Sequence, residues 1–162
     1  MEQVFIKQLQ NSGADVSGER KPLPNILSYQ QAVRMTLDLS AQLAKLHENK
    51  KGFISISKEQ VEMIGENSFI IKEVDLFRVK SNGDLLISKP FTFNNLMAPE
   101  LKTLNTLPEI VNSNVGYYSI CMLVISLLNI EGNLDRLKPT KLYFLMERIL
   151  KETPSKRRFI YI

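Results

Sequence analysis

In 162 residues the chain carries one cysteine, one histidine and no tryptophan. A single thiol, Cys121, excludes an internal disulfide framework and suits a reducing compartment, so a cytoplasmic protein is expected. One His and one Cys also exclude a tetrahedral zinc site of the usual kind built from this chain alone, and neither a metal nor a cofactor is expected. Long apolar runs are missing as well. The most apolar stretch, "YYSICMLVISLL" at 117–128, falls short of the roughly 20 residues that span a bilayer, so it reads as a buried core helix and no membrane span is expected. The opening "MEQVFIKQLQ" has an acidic second residue and lacks the apolar centre of a secretory leader. An excess of one charge is missing too. Lys and Arg number 21 against 17 Asp and Glu, a net charge of +4, and only Lys156, Arg157 and Arg158 stand in a run. A short run reads as a solvated face, and nucleic acid is not the expected partner. Glycines are few, and Gly13 and Gly18 have neither the spacing nor the following Lys-Ser/Thr of a phosphate loop.

What remains is an ordinary globular composition, 44% hydrophobic and 23% charged, of a length that suits one domain over residues 1–162. Residues 1–10 read as a strand or short helix, and "NSGADVSGERKPLPN" as a loop, so 1–25 form an N-terminal segment. Ser28 with Gln31 makes a capping box, and Ala32, Met35, Leu39, Leu43 and Leu46 continue at helical spacing towards His47–Lys50, with Gly52 as a stop. Between Phe53 and Lys89 short β-type runs alternate with "GENS" and "SNG", and Asn82-Gly83 predicts a type I′ hairpin. Residues 101–112 read as a short helix or loop, and 113–128 as the buried helix. A last helix opens near Pro139 and is stopped by Pro154. The expected fold class is mainly α, with a few short strands or hairpins.

Several short motifs occur in a definite order. "LSYQQAVRMTLDLSAQLAKLHENKKG" is followed by "FISISKEQVEMI", "FIIKEVDLF", Ala98-Pro99-Glu100, "GYYSICMLVISLL" and "ILKETPSKRR". This set resembles the C-terminal lobe of eukaryotic-type protein kinases over about residues 26–162. The first segment resembles the long helix before the catalytic loop. The next two fall where that family has H-R-D-L-K-P-E-N and D-F-G. The last three resemble its Ala-Pro-Glu, its central helix and its closing Arg motif. The resemblance implies a C-lobe-like helical domain in which Glu100 and Arg157 form a buried structural ion pair.

It also implies that catalysis is lost. Phe53, Ile54 and Ser55 stand where the family has His-Arg-Asp, and a serine hydroxyl unaided does not accept a proton at neutral pH. Ser57 replaces the loop lysine, and Gln60 the metal-binding Asn. Asp75 survives from D-F-G, while Gly116 replaces the Asp that begins the central helix. An alternative register through "VDLFRVKSNGDLLIS" places Lys89 at the D-F-G Asp. Only about 25 residues precede the first kinase-like helix, too few for the lobe that supplies a phosphate-covering loop and its lysine. The site positions are therefore Phe53, Ile54, Ser55, Gln60, Asp75 and Gly116, with no catalytic residue among them. His47 reads as a packed residue and Cys121 as core.

The expectation is a noncatalytic protein–protein interaction module, similar to the noncatalytic kinase C-lobe (KIND) domains. Its partner would be another protein, such as a kinase or a larger assembly. The alternative is a split kinase completed in trans by an N-lobe partner.

Overall fold

The computed structural model describes residues 1–159; the last three residues of the expected domain lie outside the described residues. Helix α1, Glu2–Asn11, places Phe5 and Leu9 in the core. Helix α2, Tyr29–Glu48, starts at Ser28, whose side chain accepts from the Gln31 N–H while the Gln31 side chain accepts from the Ser28 N–H at 3.0 Å. The pattern beyond it does what its spacing predicts: Ala32, Met35, Leu39, Leu43 and Leu46 are all buried. Each such leucine contributes about 1.5–3 kcal/mol by leaving water. The helix runs out at Glu48, and Lys50, not a glycine, takes the left-handed conformation after it, with φ 60°. Gly52 lies instead in strand β2, Lys51–Gly52, against the His47 ring.

Among the described residues seven short strands form two antiparallel sheets. In the first, β1 (Arg20–Pro22), β3 (Val61–Ile64) and β4 (Ser68–Ile71) lie in that spatial order. In the second, β2 pairs with β5 (Phe77–Val79), β5 with β6 (Asp84–Ile87), and β6 with β7 (Glu109–Asn112). Helices α3, Val115–Leu127, and α4, Lys141–Ile149, follow the second sheet; Thr140, not Pro139, caps α4 by accepting from the Tyr143 N–H.

The expectation of a mainly α fold is corrected. The chain is mixed α and β, 42% helical and 15% strand, with two antiparallel sheets. The excess strand comes from non-local pairing. β1 falls in a segment that reads as loop and gains its ladder from β3, with Arg20 opposite Ile64. β7 falls in a segment that reads as helix or loop and is held by β6, with Leu85 opposite Val111. Neither run is apolar enough to announce itself. The β5–β6 hairpin does form at Asn82-Gly83, but its turn is different. Gly83 has φ 90° and its N–H donates to the Lys80 carbonyl at 2.9 Å, while Asn82 is not in the left-handed region. A type I′ turn needs both central residues there. The Asn82 side chain instead accepts from the Asp84 N–H at 3.1 Å.

The buried side chains fall into two clusters. The larger joins α1, α2, α3, α4 and the first sheet; the smaller lies under the second sheet and includes Ile54, Phe77, Leu85, Met97, Ala98, Leu101 and Val115. The extended segment at 53–56 runs along their seam, sending Phe53 and Ile56 into the larger cluster and Ile54 into the smaller. Phe53 and Ile56 are three residues apart, so the bend at Ile54, and not the two-residue alternation of a strand, divides this segment between the two cores.

Candidate functional site

The seam opens to solvent in a cleft of about 480 Å³, and the motif positions meet there. Ile54, Ser55, Ser57 and Gln60 line it together with Asp75, Phe77, Lys89, Phe91, Asn94 and Met97. Both registers read from the sequence thus lead to one place, since Asp75 and Lys89 line the same cleft. Phe53 and Gly116 lie behind it. A Cβ on Gly116 would stand 2.7 Å from a Leu43 methyl and 3.0 Å from the Phe53 carbonyl oxygen, so α3 approaches the 53–57 segment where only glycine fits. One turn later the Ile56 N–H donates to Ser119 Oγ at 3.0 Å. Helix α3 therefore holds the cleft's inner wall through a close backbone approach and one buried hydrogen bond.

The polar groups of the cleft differ in how far they are committed. Gln60 Oε1 accepts from the Ser57 N–H at 3.0 Å, so its carbonyl oxygen is engaged in the local turn, while its amide NH₂ has no partner among the described residues. Asp75 is exposed, and among the described residues it has no hydrogen-bond or ion-pair partner. The Lys89 ammonium lies 5.1 Å from the centre of the Phe77 ring and has no carboxylate partner among the described residues. Among those residues no three His, Cys, Asp or Glu side chains are grouped so that they could hold a metal ion.

A second polar cluster lies at the N-terminal end of α3. Arg157 donates from Nη1 to Glu100 Oε2 at 2.7 Å and from Nη2 to Glu100 Oε1 at 2.8 Å, across 57 residues of sequence. The same guanidinium reaches Asn114 Oδ1 at 3.1 Å and the carbonyls of Lys151 and Glu152 at 2.8 and 3.2 Å, with the Tyr118 ring centre 4.8 Å from its central carbon. Its side chain is wholly buried and that of Glu100 largely so. Pro99 begins a 3-10 turn over Pro99–Thr103 that carries Glu100 to this position, while Ala98 and Leu101 anchor the turn in the smaller core. The parallel two-point bond is the strong form of a carboxylate–guanidinium contact.

A third arrangement gives no sequence signal of its own. Asp38 and Gln42 stand one turn apart on the buried face of α2, where the pattern calls for apolar residues. Both reach the free edge of β4. Asp38 Oδ2 accepts from the Phe69 N–H at 3.1 Å, Gln42 Nε2 donates to the Phe69 carbonyl at 2.8 Å, and Gln42 Oε1 accepts from the Ile71 N–H at 2.8 Å. The side-chain amide completes the ladder as a neighbouring strand would. Burial pushes the Asp38 carboxyl up to about 6, against the opposing pull of the Arg34 guanidinium bonded to it and of the Phe69 N–H. Thr36 and Ser40 are buried on the same helix, so polar residues at core spacing do not single this pair out.

The remaining candidates are structural. Cys121 is buried, and burial pushes its thiol up to about 12, which removes thiolate character. His47 packs edge-on against Tyr117 at 5.8 Å between ring centres, and burial holds its imidazole below the usual range. Among the described residues no helix is long and apolar enough to cross a membrane. No protein-family profile matches the chain, and no curated protein matches it.

Proposed function

We propose that the chain is a noncatalytic protein–protein interaction module, related to the C-terminal lobe of protein kinases, that binds another protein such as a kinase or a larger assembly. The observation that carries this reading is the chemistry of the cleft. Phosphoryl transfer needs a base for the accepting hydroxyl, two metal-binding side chains and clamps for the phosphates. The residue at the base position is Ser55, and the oxygen at the second metal position, Gln60 Oε1, is already bonded to the Ser57 N–H. A single carboxylate, Asp75, is a poor Mg²⁺ site without substrate phosphates held beside it. The kinship itself is supported by the Glu100–Arg157 pair beside the Tyr118 ring and by the meeting of the motif positions in one cleft.

The split-kinase alternative draws on Asp75, which faces the cleft without a partner among the described residues. One experiment separates the two. The purified chain is incubated with Mg²⁺-ATP and followed by melting temperature and by phosphate release. No shift at millimolar nucleotide and no release are expected. A clear rise in melting temperature, or turnover on adding a kinase N-lobe in trans, would overturn the noncatalytic reading.

A further inference from the structure

We infer that the cleft between Ser55, Asp75 and Lys89 is the interaction face, and that it takes an extended peptide segment of a partner in which a basic and an acidic residue flank an apolar one. This rests on the reading of the chain as a noncatalytic interaction module and gives that module a site and a ligand class. The argument is one of complementarity. Three polar groups are already spent inside the fold, Glu100 on Arg157, Gln42 on the β4 edge and Ser119 on the Ile56 N–H, whereas Asp75 and Lys89 are exposed and open to a ligand. In the cleft two opposite charges, Asp75 and Lys89, line one cavity without an ion-pair partner among the described residues. They do not neutralise each other, since no nitrogen–oxygen approach within 4 Å links them. A ligand carrying both signs satisfies both.

The surroundings favour a peptide over a phosphate ester. A phosphate brought to Lys89 would enter a cavity that also holds the Asp75 carboxylate, with like-charge repulsion and no second cation lining it. A peptide brings a cationic side chain to Asp75 and a carboxylate to Lys89. Its backbone carbonyls meet the Gln60 NH₂, which the Ser57 bond holds fixed, and its apolar side chain rests on Phe77 and Met97. A cavity of about 480 Å³ is of ligand-site size.

The test uses a displayed random heptapeptide library selected on the wild-type chain, then Kd values for the enriched peptides on Asp75→Lys and Lys89→Glu. Enriched sequences that join a basic and an acidic residue around an apolar one are expected, with at least tenfold weaker binding to each variant. Replacing the basic residue of such a peptide by an acidic one should restore binding to Asp75→Lys. No enrichment, or equal binding to wild type and both variants, would overturn the proposal. If either charge reversal lowers the melting temperature, Asp75→Asn and Lys89→Gln replace it, and the loss to be seen is threefold. Cross-linking from lysate separates the two levels of the argument. A partner captured equally by wild type and by the doubly reversed chain overturns the cleft and leaves the module standing. Turnover of Mg²⁺-ATP overturns the module itself.

Discussion

Two polar clusters of the molecule each contain one carboxylate and one basic side chain and behave in opposite ways. Around Arg157 the guanidinium has acceptors on every side: both Glu100 oxygens, Asn114 and two carbonyls. In the cleft, Asp75 and Lys89 stand in one cavity and touch no counter-charge among the described residues. The contrast separates polar groups that hold the fold from polar groups that are left for something else. A buried charge tolerates no vacancy because its desolvation is offset only by its partners, whereas an exposed charge loses little by waiting.

That comparison can be broken most forcefully at the first cluster. Arg157→Ala and Glu100→Ala should each cost about 3–5 kcal/mol in urea unfolding, because each leaves the other charge buried without its counter-charge. The double variant should cost clearly less than the sum of the two. Small additive effects would show that the pair is worth no more than a surface contact.

The next test concerns Asp38, a buried acid that sits between the two types. Its carboxyl is raised from 3.8 to about 6 in the fold, so folding favours the protonated form. The resulting stability is fully present below pH 3.8 and is lost as pH rises through about 6. A carboxyl that titrates about two pH units higher in the folded chain than in the unfolded one changes stability by roughly 3 kcal/mol between those limits. The stability of wild type relative to Asp38→Asn should therefore fall by about that amount between acid and neutral pH. A flat difference would mean that Arg34 and the Phe69 N–H fully offset burial, so that the carboxyl titrates alike in the folded and unfolded chain.

Gln42→Leu keeps the volume and removes both amide bonds to β4. Leaving a buried carbonyl and a buried N–H unpaired should cost about 2 kcal/mol or more. At the far end of the scale, Asp75→Asn and Lys89→Gln should change stability by less than about 0.5 kcal/mol, since neither side chain has an ion pair to lose. A larger loss would place the cleft among the structural clusters and sharpen the comparison against the binding proposal.

How much of this the sequence discloses depends on the range over which each feature is decided. The start of α2 is written in Ser28 and Gln31, three residues apart, and the buried helix in a run of apolar residues, so both are legible locally. Arg157 and Glu100 are 57 residues apart, and only the ordered motifs suggest them as a pair; nothing in either segment points to Asn114 as a third member. The strands β1 and β7 and the edge contacts of Asp38 and Gln42 depend wholly on partners elsewhere in the chain. Local propensity is silent there, and for that reason the sequence reads as more helical than the fold is. The cleft is legible as a set of positions, but the spending of Gln60 Oε1 on the Ser57 N–H is not, because it is a matter of side-chain direction.

The Gln42 amide has a consequence for the protein at high concentration. A strand whose outer backbone groups are free is a template on which another chain can grow. With Gln42 in place, the Phe69 carbonyl and the Ile71 N–H are occupied, and β4 offers that template nothing. Its residues are Ser68, Phe69, Ile70 and Ile71, an apolar and β-prone run of the kind that zips into fibrils when exposed. Helix α2, through Asp38 and Gln42, thus covers the edge of a wholly buried fibril-prone strand, and Gln42→Leu should lower the temperature at which unfolding uncovers it and aggregation begins.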